Sequence, residues 1–111
     1  MAVLEITTGG DGHGSVLALN GELDISTARE FERRLGDLEG AGAPVIVLDL
    51  RDLQFMDSTG LRILVAADAR ARAAGRRLVL GRGTQNVQRL FEITRLADRL
   101  DFVDEPAEAS A

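Results

Sequence analysis

The sequence predicts a mixed α/β domain: an N-terminal β-hairpin, then parallel crossovers, giving a four- to five-stranded sheet with three to four packed helices. Three observations predict it. Two alternating segments flank a glycine-rich run near the start, the middle of the chain holds a nearly unbroken apolar stretch, and amphipathic helical patterns separate the later apolar segments.

Val3-Leu4-Glu5-Ile6-Thr7 alternates as a half-buried strand requires, and Ser15 to Asn20 reads as its partner. Between them, Gly9-Gly10-Asp11-Gly12-His13-Gly14 has turn chemistry, because glycine reaches positive φ without steric cost. A phosphate-cradling loop needs a helix directly after it, and here another strand follows. His13 is expected to be a solvated residue at the hairpin tip.

Gly21-Glu22-Leu23-Asp24 leaves the second strand, and a helix starts near Thr27. Thr27 and Glu30 have the spacing of a capping box, and Ala28, Phe31, Leu35 and Leu38 define one buried face. Glycine and proline in Gly40-Ala41-Gly42-Ala43-Pro44 stop that helix. Val45-Ile46-Val47-Leu48-Asp49-Leu50 suits a strand buried on both faces at the centre of a parallel sheet. Arg51 to Asp57 reads as a loop, and a second helix runs from about Ser58 to Ala74, closed by Gly75. Leu78-Val79-Leu80 is a further strand, and a last helix starts near Thr84 with Val87, Leu90, Phe91 and Thr94 on one side. Leu96 to Val103 adds a helical turn and an edge segment. From Asp104 the chain reads as frayed, so one domain is expected over 1–104 and a flexible tail over 105–111.

Composition narrows the chemistry. The 111 residues suit a single core, and 28 % charged with 45 % hydrophobic residues is an ordinary globular balance. Cysteine is absent, which removes disulfides and thiolate chemistry. His13 is the only histidine, so a Ser–His–Asp triad or a multi-histidine metal site has nothing to stand on, and no cofactor is expected. With no Trp or Tyr, four Phe and a net charge of −5, nucleic acid is disfavoured as a partner. No apolar run approaches the roughly 20 residues that cross a bilayer. A small, acidic, cytoplasmic protein that works by contact, with no membrane partner, is the expectation.

Loops at the carboxyl ends of parallel strands converge on one sheet edge, where function collects. Two segments leave by that edge: Gly21-Glu22-Leu23-Asp24 and Phe55-Met56-Asp57-Ser58-Thr59-Gly60-Leu61. If their strands are parallel neighbours, Asp24 and Ser58 lie close together. Asp57 or Ser58 is the natural N-cap of the second helix, and with Asp57 as cap the Ser58 hydroxyl is left exposed. Gly60 in a first helical turn costs about 1 kcal/mol relative to alanine, which suggests that something approaches the backbone closely there. Of Phe55 and Met56, one is expected in the core and the other exposed. On residue types alone, Asp57-Ser58-Thr59-Gly60 reads first as a polar helix start.

The run Asp49 to Leu61, DLRDLQFMDSTGL, resembles the signature of STAS-domain anti-sigma factor antagonists. Gly21-Glu22-Leu23-Asp24 with Thr27-Ala28 matches a second family stretch. Val87-Gln88-Arg89-Leu90-Phe91-Glu92-Ile93-Thr94 resembles the family's C-terminal helix, with Arg95 where glycine is frequent. The likeness spans about Val3 to Val103 and implies a STAS-like fold. It further implies that the unphosphorylated protein binds an anti-sigma factor that is also an ATP-dependent serine kinase, releasing the sigma factor. The acceptor falls on Ser58, with Thr59 as runner-up, and a PP2C-type phosphatase reverses the modification. Glu22, Asp24, Met56, Asp57, Ser58, Thr59, Gly60 and Arg62 are the expected partner contacts, on a chain that is a monomer when free. Arg62, Arg70, Arg72, Arg76 and Arg77 read either as a solvated face with acidic neighbours or as a guide for an acidic kinase surface. An alternative within the fold is a STAS subunit of a transport or stress-sensing complex. An enzyme with Ser58 as nucleophile is disfavoured, because no suitable base or G-x-S-x-G elbow accompanies it.

Overall fold

Strands β1 (Leu4–Asp11) and β2 (Gly14–Leu23) pair antiparallel, with Leu4 opposite Gly21 and Asp11 opposite Gly14. The computed structural model describes residues 2–11 and 14–106, so Gly12 and His13 lie outside the described residues. Helix α1 (Ala28–Gly40) crosses to β3 (Val45–Met56), α2 (Ser58–Ala74) to β4 (Arg77–Gly81), and α3 (Gln85–Ile93) to β5 (Phe102–Val103). Those last three strands each run parallel to their predecessor, and the sheet order is β1-β2-β3-β4-β5. Among the described residues this makes a mixed five-stranded sheet with three helices, as expected.

The core follows from alternation. Leu17, Leu19 and Leu23 of β2 meet Ile46, Leu48 and Leu50 of β3, and Phe31, Leu35, Leu64, Ala67 and Phe91 of the helices close over them. Val47 and Val79 point to the opposite sheet face with Val16, Val45 and Val103 around them. Central β3 is therefore apolar on both sides, as a parallel strand at mid-sheet must be.

The segment expected as a loop from Arg51 to Asp57 is strand as far as Met56. Its register against β2 shifts between Ala18 and Asn20 and again between Gly21 and Glu22. At each shift β3 contributes an extra residue, as in a bulge, and the spacing of core-facing residues stretches from two to three. Leu50, Leu53 and Met56 are buried in turn, while Arg51, Asp52, Gln54 and Phe55 between them are exposed. A period of three hides a strand from any search for alternation.

One further expectation changes. Thr27 is the N-cap of α1 but makes no side-chain cap bond, and Glu30 pairs with Arg33 at 2.7 Å, so no capping box forms. Of the expected tail over 105–111, residues 107–111 lie outside the described residues; before them Asp104 pairs with Arg82 at 2.8 Å, Glu105 with Arg51 at 3.7 Å, and Pro106 is buried. Gly81 makes room for that proline, since a Cβ there would fall 2.5 Å from Pro106 Cγ. Arg95, with φ 62°, ends α3 in the left-handed conformation that glycine adopts most easily. Among the described residues no helix is long and apolar enough to cross a membrane, and no cluster of acids or histidines could hold a metal ion.

Candidate functional site

Leu23 at the end of β2 lies opposite Met56 at the end of β3, and the Asp57 amide donates to the Leu23 carbonyl at 3.4 Å. The next residues along the chain, Asp24 and Asp57, therefore emerge side by side at one edge of the sheet. Gly21 permits the first of these exits: its φ is 121°, and the Val3 carbonyl lies where a Cβ would stand.

After β2 the chain is tied down by short polar contacts. Thr27 Oγ1 donates to the Glu22 carbonyl at 2.8 Å and accepts from the Asp24 amide at 3.0 Å. Asp24 Oδ1 accepts from the Ser26 amide at 2.9 Å and the Ser26 hydroxyl at 2.7 Å. The hydroxyl bond from Ser26, with help from its amide and from Thr27, holds the Asp24 carboxyl below its ordinary range. Asp24 is thus a fixed negative charge at the rim, and the apolar side chain between these contacts, Ile25, is 81 % exposed.

After β3 the helix begins at once. Asp57 is extended (φ −112°, ψ −167°), and its side chain accepts from the Thr59 amide at 2.9 Å. Asp57 is therefore the cap of α2, which resolves the choice between Asp57 and Ser58. Ser58 is the first helical residue, is exposed, and its hydroxyl makes no hydrogen bond among the described residues. Thr59, next along, is half-buried.

Gly60 is buried for an internal reason. A Cβ there would lie 2.5 Å from Met56 Cγ and 3.0 Å from Leu23 Cδ2, so the close approach comes from the protein's own core. Met56, expected among the contact residues, is only 6 % exposed, and Phe55 is the apolar residue at the surface, at 47 %. Glu22 is half-buried and Arg62 exposed. The rim thus gathers Glu22, Asp24, Asp57 and Ser58 at the surface, with Met56 and Gly60 beneath as its support.

Beside the rim lies an apolar groove that sequence reasoning missed, lined by Phe55 and Met56 of β3 and by Val87, Arg89, Leu90 and Ile93 of α3. Ile93 is 71 % exposed. Its signal was present in the sequence, because Ile93 falls out of phase with the stripe of Val87, Leu90, Phe91 and Thr94. The arginines along α2 and its exit are mostly paired. Arg70 and Arg76 reach Glu39 at 3.0 and 3.8 Å, Arg72 reaches Asp68 at 2.8 Å, and Arg77 reaches Asp101 at 3.2 Å.

The family described as "Mlab, STAS domain" matches residues 6–104. The chain belongs to the STAS-domain family. Within it, the anti-sigma-B factor antagonist of Bacillus subtilis is 35 % identical over 82 residues, 74 % of each chain. A solved anti-sigma factor antagonist from Mycobacterium paratuberculosis superposes with a TM-score of 0.82 at 24 % identity, over 96 % of this chain and 91 % of that one. SpoIIAA, an anti-sigma factor antagonist solved in its unphosphorylated form, gives 0.78 at 19 % over 94 % and 92 %. Its phosphorylated form gives 0.72 at 20 % over 96 % of each chain. At these identities the structural likeness establishes the STAS fold.

Proposed function

We propose that this STAS domain is an anti-sigma factor antagonist switched by phosphorylation of Ser58. Unphosphorylated, its rim binds an anti-sigma factor that is also an ATP-dependent serine kinase, and the sigma factor is released in the cytoplasm. A PP2C-type phosphatase restores the binding form. The protein acts by contact and is the substrate, not the catalyst, of the transfer.

One observation carries this reading: the Ser58 hydroxyl is exposed and uncommitted at the first turn of α2, because Asp57 performs the capping. In the transfer, Ser58 Oγ bonds to the γ-phosphorus of ATP as the bond to the ADP oxygen breaks, and the hydroxyl proton passes to a base of the kinase. The curated relative's name and the two forms of SpoIIAA support the same reading.

The energetics favour a rigid tag over a rearrangement. A phosphoryl group adds about −1.5 to −2 charges at pH 7. At a helix N-terminus such charge is favoured by roughly 0.3–1 kcal/mol, so α2 does not melt. At an interface, an unmatched desolvated anion costs several kcal/mol, and about 1.4 kcal/mol is a decade of affinity. Asp24 and Asp57 already make the rim acidic, so the added charge deepens an existing field.

The test uses the kinase that co-purifies with the unphosphorylated chain. Incubation with ATP should label Ser58 by mass spectrometry, and Ser58→Ala should abolish labelling while keeping partner binding. Persistence of full labelling in the alanine variant moves the acceptor to Thr59 or elsewhere. Equal partner binding by the two forms sinks the switch and leaves a constitutive interaction module.

A further inference from the structure

We propose that Arg62 is the internal counter-ion of phosphorylated Ser58, an inference that rests on the reading of Ser58 as acceptor. Three features of α2 lead to it. Arg62 is exposed four residues after Ser58, so the two lie on one solvent-facing stripe, while Thr59 is followed at the same spacing by buried Ile63. Helical side chains lean toward the N-terminus, a direction that puts the serine within reach of the guanidinium. An anion placed N-terminal to its cation at this spacing is the favourable orientation.

The third feature is what Arg62 lacks. Arg70, Arg72, Arg76 and Arg77 each reach a carboxylate, whereas Arg62 forms no ion pair among the described residues. It stands near the positive end of the helix dipole, and no acid lies in the first turn of α2 to offset it. Its neighbours three and four residues away on the helix, Ser58, Thr59, Val65 and Ala66, carry no charge, so an anion on Ser58 is the first on its own stripe. Once the phosphoryl group is present, a guanidinium fork can take two of its oxygens. Phosphorylation then does two things at the rim: it adds an anion, and it withdraws the one unpaired arginine of α2 and its exit from any contact with a partner.

Other charges act on the phosphoryl group without selecting Arg62. Glu22 and Asp24 at the end of β2 and Asp57 at the cap oppose its second ionisation, and the helix dipole favours it. Arg29, in the first turn of α1, is exposed and also forms no ion pair among the described residues, which makes it the control.

The experiment installs phosphoserine at position 58 during translation, so no kinase is needed, and follows the 31P shift against pH. The second ionisation, near pH 6 for a free phosphomonoester, should move upward by about a few tenths of a unit in Arg62→Gln and stay put in Arg29→Gln. Because the guanidinium favours the dianion, its loss must raise the value. High salt should shrink the difference. If Arg62→Gln titrates with the parent, or Arg29→Gln shifts it equally, the pairing is overturned. That result would leave kinase labelling of Ser58 untouched, and failed labelling would leave the titration untouched.

Discussion

Helices α1 and α2 both start from a hydroxyl residue just past the end of a parallel strand, yet the two hydroxyls have opposite fates. Thr27 turns inward, giving its proton to the Glu22 carbonyl and taking the Asp24 amide. Ser58 turns outward with no partner among the described residues, because Asp57 holds the Thr59 amide. Thr84, which caps α3 by accepting from the Val87 amide at 3.3 Å, resembles Thr27 in being committed. A hydroxyl at a helix start is thus available for chemistry only when a neighbour does its structural work. At α2 that neighbour is one aspartate.

Substitution of the two hydroxyls should give the largest contrast. Thr27→Val keeps the shape but strands a carbonyl and an amide in a half-buried turn, and it should cost about 1–3 kcal/mol. Ser58→Ala, on an exposed side chain with no partner, should stay within about 0.5 kcal/mol of the parent. Urea unfolding checks both, as a shift in midpoint at unchanged slope. Equal losses would erase the distinction between the two helix starts.

Asp57→Ala should make the second start behave like the first. Loss of the cap bond is expected to remove about 1 kcal/mol of stability. Ser58 then becomes the nearest oxygen able to cap, so its labelling by the kinase should slow. Unchanged labelling would show that the hydroxyl owes nothing to its neighbour.

The smallest effect concerns acid. The Asp24 carboxyl sits below its ordinary range because Ser26 bonds to it. A depressed carboxylate adds stability above its unfolded pKa of about 3.9 and loses it as pH falls through the folded value. Asp24→Asn should therefore flatten the stability profile below about pH 4 and leave its slope at neutral pH unchanged, as read by urea midpoints across pH. A slope that changes only near neutrality would point to a different group.

The sheet was legible wherever side chains alternate or run apolar, as in Val3 to Thr7 and Val45 to Leu50. It was illegible where bulges changed the period, so the end of β3 looked like a loop although Leu53 and Met56 are core residues. Local spacing misled at Thr27, because strand-exit contacts outcompeted the capping box. At the rim, residue types pointed to Asp57 and Ser58 but could not say which of Met56 and Phe55 faces outward. That choice depends on the bulged register and on the space at Gly60 that Met56 fills. Arg95 was visible as a departure from glycine, and its φ of 62° shows what the departure strains.

Each strand of the sheet lies beside the one made just before it. A polypeptide leaving the ribosome can lay such a sheet down strip by strip, since no strand waits for a partner still to be translated. Both strand ends that frame Ser58, and the helix that carries it, are synthesised before β4, α3 and β5 exist. The rim around Ser58 is drawn early, and the last third of the chain braces it.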